Sequence, residues 1–230
     1  MALSEQDFSE NPVKSRRLQA GTETPENGET TLSLSHVCIN SSERPEIEAF
    51  LNGIYTEKYG ATISSHYPHF LCARNRVGQI CAVIGFRFLR HHDAFLQQYL
   101  DEPVEKAVAR VLGKPIARMQ IVEMGSFAST GVGVVGLFSE LARHLQASGA
   151  SYAVATSTRR LQRCFRSLGM ETRSIAPADP SRLPDGGASW GTYYGTNPEV
   201  VAGEITTAFA RLTTCIPGGA RLSQSAETAA

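Results

Sequence analysis

No two of the five cysteines stand close enough to form a CxxC pair: they fall at Cys38, Cys72, Cys81, Cys164 and Cys215. An odd number of scattered thiols builds neither a disulfide framework nor a zinc site. Reduced, mostly buried thiols in a cytoplasmic protein are expected instead. An excess of one charge is also missing. Acidic and basic residues balance at 22 each, which gives no global field for nucleic acid or an anionic membrane. No apolar run reaches the ~18 residues of a spanning helix. The first residues show no basic stretch leading into an apolar one, so no secretory signal is expected. The histidines lack HxxxH and HExxH spacing. His66, His69, His91 and His92 sit in polar segments and are expected on the surface or in loops, with no metal bound.

What is present organises itself along the chain. Residues 1–31 and 216–230 are polar and poor in aromatics and are expected as disordered tails around one folded unit over 32–215. "SERPEIEAFLNGIYTEKYG" predicts a helix, with Pro45 in the first turn, Ile47, Phe50, Leu51, Ile54 and Tyr55 at helical spacing, and Gly60 as the stop. "HFLCARN" and "QICAVIGFRFL" predict a β-hairpin, and residues 92–113 predict two short helices broken before Pro103. "ARMQIVEMGSFAS" is a strand and 133–148 an amphipathic helix. "SYAVATS", "TRRLQRCFRSLG", "METRSIA" and "WGTYYG" follow as strand, helix, strand and last strand. This order predicts an α/β domain with a mixed, mostly antiparallel central sheet flanked by helices.

The densest signal is "IVEMGSFASTGVGVVGLFSELARHL", residues 121–145. Here a strand passes through glycines into a helix. The first N–H groups of a helix lack intrahelical partners and, with the dipole, favour an anion. Glycine lets a phosphate approach the backbone. Gly131 and Gly133 therefore serve either a donor phosphate or merely a tight turn, while Gly136, inside the helix, is expected to permit close packing.

The strand–glycine turn–helix, followed by the strand over 151–156 and the helix ending at Leu168-Gly169-Met170, resembles the acyl-cofactor half of the GNAT acyltransferase fold. Ala128 stands where that fold carries Gln or Arg ahead of its glycines. That departure leaves an acyl carrier protein open as donor beside coenzyme A. Gly85-Phe86-Arg87-Phe88 and Glu123-Met124-Gly125-Ser126-Phe127 are similar to blocks of the acyl-homoserine-lactone synthases, with Ser126 where those carry arginine. "YLDEPVE", "IVEMGSFAS", "ADPSRLP" and "WGTYYGTNPEVVAGEI" resemble, in order, the thermostable hemolysin family over about residues 35–210. The resemblance implies a single GNAT-like domain and a fatty acyltransferase. It would act from acyl-CoA or the acyl-phosphopantetheine of a carrier protein to an amine of a small acceptor. Direct action on membranes, as the family name suggests, and a non-catalytic acyl-binding domain remain as alternatives.

Under that reading Glu123, a carboxylate in an apolar strand, is the candidate general base; the competing expectation is a pair with Arg87. Arg87 is the second catalytic candidate, holding a substrate carboxylate or Glu123 itself. Phe127, Ala128, Ser129, Gly131, Val132, Gly133 and Arg159 are the candidates for holding the donor. Trp190, Tyr193 and Tyr194 are expected either in the core or as a wall of an acyl pocket. Cys164 is expected in the core, and Asp179 and Arg182 as a local pair.

Overall fold

The computed structural model describes residues 32–215 and 223–224; the expected tails otherwise lie outside the described residues. In chain order the elements are β1 (Ser33–Cys38), α1 (Arg44–Tyr59), β2 (His69–Arg74), β3 (Ile80–Phe88), a 3-10 turn (Phe95–Tyr99) and α2 (Val104–Leu112). They continue with β4 (Ile121–Ser129), α3 (Val134–Ala147), β5 (Tyr152–Ser157), α4 (Arg159–Ser167), β6 (Arg173–Pro177), β7 (Glu199–Glu204), α5 (Ile205–Cys215) and β8 (Ser223–Gln224). One sheet runs in the order β6-β7-β5-β4-β3-β2-β1-β8. Among the described residues only β4–β5 and the two-residue β1–β8 contact are parallel. This is the mixed, mostly antiparallel sheet that the sequence predicts.

The sheet is buried on both faces because its strands carry apolar residues at consecutive positions. On one face Leu71, Ala73, Phe86 and Val122 meet Leu137, Leu141 and Leu145 of α3 and Ile205 and Leu212 of α5. On the other, Phe70, Cys72 and Val83 meet Ile47, Leu51 and Tyr55 of α1. The i, i+4, i+8 spacing of those three α1 residues makes the stripe. Pro45 in the first turn and Gly60 in the left-handed region (φ 65°) mark the helix ends.

Several expectations are corrected. "WGTYYG" is not a strand: it forms 3-10 turns at Ala188–Trp190 and Tyr193–Thr196. Left-handed backbone at Gly187, Gly191 and Asn197 interrupts extension despite the aromatic composition. The last long strand is β7, and α5 follows it. Arg182 does not pair locally with Asp179. It reaches Asp101 at 2.7 Å and the Leu100 carbonyl at 3.1 Å, while Asp179 accepts from the Ser181 N–H at 2.9 Å.

Gly136 does not serve close packing either, since a Cβ built there meets nothing within 4 Å. Gly136→Ala is therefore expected to stabilise the protein by about 0.5–1 kcal/mol through helix propensity alone. A urea-unfolding midpoint that falls instead would show that the glycine is required.

Candidate active site

β4 and β5 begin as parallel neighbours at Ile121 and Tyr152, and their pairing ends at Met124↔Ala155. From Gly125 onward β4 has, among the described residues, no strand partner on that side. On its other side β4 stays paired with β3, but with a bulge. Gly85 opposes Gly125 and Val83 opposes Ala128, so Ser126 and Phe127 together face Ile84. The bulge forces Ser126 into the left-handed region at φ 46°, a conformation that costs a non-glycine residue about 1–2 kcal/mol. Strain of this kind is retained where it aims a backbone segment. Here it bends the free edge of β4 away from β5 and opens a cavity of about 540 Å³.

The cavity has an aromatic wall from Tyr55, Tyr59, Phe95, Tyr99, Trp190, Tyr193 and Tyr194. Trp190 packs 5.4 Å from Tyr193 and 6.1 Å from Phe95 between ring centroids. The Tyr99 and Tyr194 hydroxyls are 2.5 Å apart. All three aromatic residues singled out by the sequence thus line one space, although Tyr193 is otherwise buried. The opposite side is β4 itself, from Met124 to Ser129, with Ala155, Leu161 and Phe165.

Behind the bulge lies an ionic cluster. Glu123 is only 1 % exposed. Its carboxylate accepts from the N–H of Phe95 at 2.9 Å and of Leu96 at 3.0 Å, and so fixes the start of the Phe95–Tyr99 turn. Arg87 Nε lies 3.3 Å from Glu123 Oε2, so the expected pair does form, and the Arg87 guanidinium stacks 4.4 Å above the Tyr67 ring. The Tyr67 hydroxyl stands beside Glu123 and helps to hold its charge. Burial raises the Glu123 pKa; Arg87, the two N–H groups and Tyr67 pull it back only in part. Burial, with the Glu123 charge beside it, pushes the Tyr67 phenol well above its ordinary value.

Tyr67 and Arg87 line the cavity, whereas Glu123 stands behind them. Tyr67 was not singled out by sequence reasoning, because it lies in the polar "SSHYPH" segment. A trace of it does exist in the sequence. Gly85 and Gly125 oppose each other, and a Cβ on either would collide with the Tyr67 side chain. Two glycines in otherwise apolar strands make the seat of one ring.

The donor candidates divide. Phe127, Ala128, Ser129 and Gly131 reach the cavity rim. Val132 does not; it is exposed. Gly133 is also outside, and a Cβ there would stand 2.5 Å from Leu32, which gives that glycine a packing reason as well as its left-handed φ of 80°. Gly131 N–H already donates to Ser129 Oγ at 2.9 Å, so it is engaged within the loop. Arg159 lies outside the lining, and Arg160 takes the place expected of it, with Lys58 across the rim. Cys164 lines the cavity too, rather than lying in the core. Arg160 and Cys164, four apart on α4 beside the Leu161–Phe165 stripe, share one flank of the helix. That phase was the available signal.

A mostly antiparallel sheet whose one parallel pair in its middle splays over a bulge, with helices on both faces, defines a GNAT-like fold. Three solved structures share it at identities low enough that the likeness concerns the fold alone. TofI, in a ternary complex with an inhibitor and MTA, matches with a TM-score of 0.54 at 14% identity over 80% of this chain and 96% of its own. The AHL synthase LasI gives 0.54 at 12% over 85% and 100%. The CoA-dependent acyl-homoserine lactone synthase BjaI, with SAM and isopentyl-CoA, gives 0.54 at 11% over 80% and 89%. Comparison with curated protein sequences gives no match. The chain belongs to the thermostable hemolysin family, whose sequence profile matches residues 38–209. Among the described residues no helix is long and apolar enough to cross a membrane.

Proposed function

We propose that this protein is an N-acyltransferase. It moves a fatty acyl group from a carrier protein or coenzyme A to the amine of a small acceptor. The observation that carries this reading is the splay at Met124↔Ala155, which opens a cavity of about 540 Å³ onto the backbone of a bulged strand. An extended acyl thioester fits such a space, since its chain needs apolar walls and its carbonyl needs backbone donors on one side. The aromatic wall supplies the first. The free edge of β4 around Ser126–Ala128 supplies the second, where oriented N–H groups stabilise the charge that develops on the carbonyl oxygen. Lys58 and Arg160 at the rim suit the phosphates of a donor arm.

The acceptor amine attacks the thioester carbon, the C–S bond breaks and the thiolate leaves. The amine must lose a proton as the C–N bond forms. Glu123 has the raised pKa of a base but is shut off from the cavity, so its contact with the amine runs through Tyr67. The Tyr67 hydroxyl passes its proton to Glu123 and receives one from the nitrogen. Arg87 holds the carboxylate and stacks on the ring, fixing both for that transfer. Glu123 is thereby the general base through Tyr67, and Tyr67 is the group that touches substrate.

Purified protein incubated with acyl-CoA or acyl-carrier thioesters and a panel of amines, with mass detection, is expected to form amides. The rate should rise with pH as Glu123 ionises, with an apparent pKa above the usual carboxylate range, since its native pKa is raised. In Glu123→Gln that limb should vanish and turnover should fall. Unchanged turnover in this variant rejects the assigned role. Direct membrane lysis rests on the family name alone. Leakage from liposomes at low dose without any acyl donor would favour it.

A further inference from the structure

On the α3 face of the sheet, away from the cavity wall, β1 and β2 bring together three ligating side chains that no local motif connects. His36 and Cys38 are two apart on β1 and so share a face. Cys38 is paired directly with His69 of β2, which places that imidazole on the same face. The ligating atoms of His36, Cys38 and His69 all lie within 4.8 Å of one another, and Cys38 Sγ is 4.0 Å from His36 Nε2. Among the described residues, His69 Nδ1 is buried without a hydrogen-bond partner. An orphaned polar atom of this kind is costly, at about 1–3 kcal/mol. The expectation of no convergent ligands, which rested on local spacing, does not hold for these three residues.

We propose that His36, Cys38 and His69 form a zinc site. A thiolate and two imidazoles are the donor set of a borderline-soft, tetrahedral cation rather than of calcium or magnesium, which take oxygen. Bond lengths to zinc of about 2.3 Å for sulfur and 2.0–2.1 Å for nitrogen place ligand atoms about 3.3–3.7 Å apart, so small side-chain rotations close the present arrangement. Cys38 is exposed; it gives its proton to solvent as the Zn–S bond forms, and water reaches the fourth position. Phe86, paired with His69 on β3, stacks on both rings at 5.3 and 5.6 Å and gives the site a dry floor. The cation would tie β1, whose other edge meets, among the described residues, the two residues of β8, to the body of the sheet.

The test uses the full chain stripped with chelator and dialysed against zinc chloride alone, with cobalt(II) as the spectroscopic probe. One zinc per chain is expected to be retained, and cobalt should give a thiolate-to-metal charge-transfer band with tetrahedral d–d bands. At a hundredfold excess of zinc over Kd the melting temperature should rise by roughly 5–10 °C. Cys38→Ser should lose the charge-transfer band, and His69→Gln the melting shift. Absence of the band in the wild-type chain overturns the proposal whether or not the variants fold. So does equal zinc retention by folded Cys38→Ser and His69→Gln proteins, which would place the metal on other thiols.

Discussion

Glu123→Ala is expected to destabilise the protein by about 3–5 kcal/mol and to abolish acyl transfer. The substitution leaves Arg87 without its counter-charge in a site where its side chain is only 21 % exposed, and removing one partner of such a pair carries a cost of that size. It also strands the N–H groups of Phe95 and Leu96, which together donate to the two carboxylate oxygens. The 3-10 turn they begin carries Phe95 and Tyr99 into the cavity wall, so loss of the carboxylate loosens the acyl pocket as well as removing the base. Thermal unfolding reads the first effect, and a near-native melting temperature would contradict the anchoring role. Glu123→Gln is milder, because it keeps one accepting oxygen while turning an NH2 toward donors. Tyr67→Phe is milder still: it removes only the hydroxyl. It should lower turnover by roughly 10²–10⁴, the usual contribution of a positioned proton-transfer group, with little change in melting temperature.

Gly125→Val is the second large effect. Valine is a better strand residue than glycine, so intrinsic propensity predicts stabilisation. The packing predicts the reverse. A Cβ at Gly125 collides with the Tyr67 hydroxyl and ring. Tyr67 cannot move aside in the sheet direction, because it is already seated over Gly85 and beneath Arg87. Overpacking of this kind costs about 1–3 kcal/mol, and the displaced hydroxyl leaves Glu123. Turnover is expected to fall at least as far as in Tyr67→Phe. A variant that is more stable than wild type and fully active would remove Tyr67 from the mechanism.

These two predictions also mark what the sequence disclosed and what it withheld. α1 and α3 were legible because a helical side-chain period runs through each, and the β2–β3 hairpin because two β-rich apolar runs stand either side of a short polar link. The position of Glu123 was legible as a single acid within a short apolar run. Its partners were not. Phe95 and Leu96 lie 28 and 27 residues away, and nothing local signals that a carboxylate will start another segment's turn. Tyr67 was hidden in a polar loop, and the two glycines that seat it, 40 positions apart by their numbering, become a pair only once the β3–β4 register is known. "WGTYYG" misled by composition: aromatic residues favour strands, but Gly191 packs against the Tyr59 carbonyl with φ at 54°, which no strand allows. α5 was missed, although Ile205, Phe209 and Leu212 have helical spacing. The metal ligands illustrate the same limit, since Cys38 and His69 meet through strand register and not through spacing.

The central claim is that the splayed β4–β5 edge is an acyl-transfer site. The most direct measurement is mass-detected transfer by the purified chain from long-chain acyl-CoA and acyl-carrier thioesters to a panel of small amines, with Tyr67→Phe in parallel. The account predicts an N-acyl amide from the wild-type protein and at least a hundredfold slower formation in the variant. Amide formation that is equally fast in both, or no amide from any pairing while the protein alone empties liposomes, would contradict it.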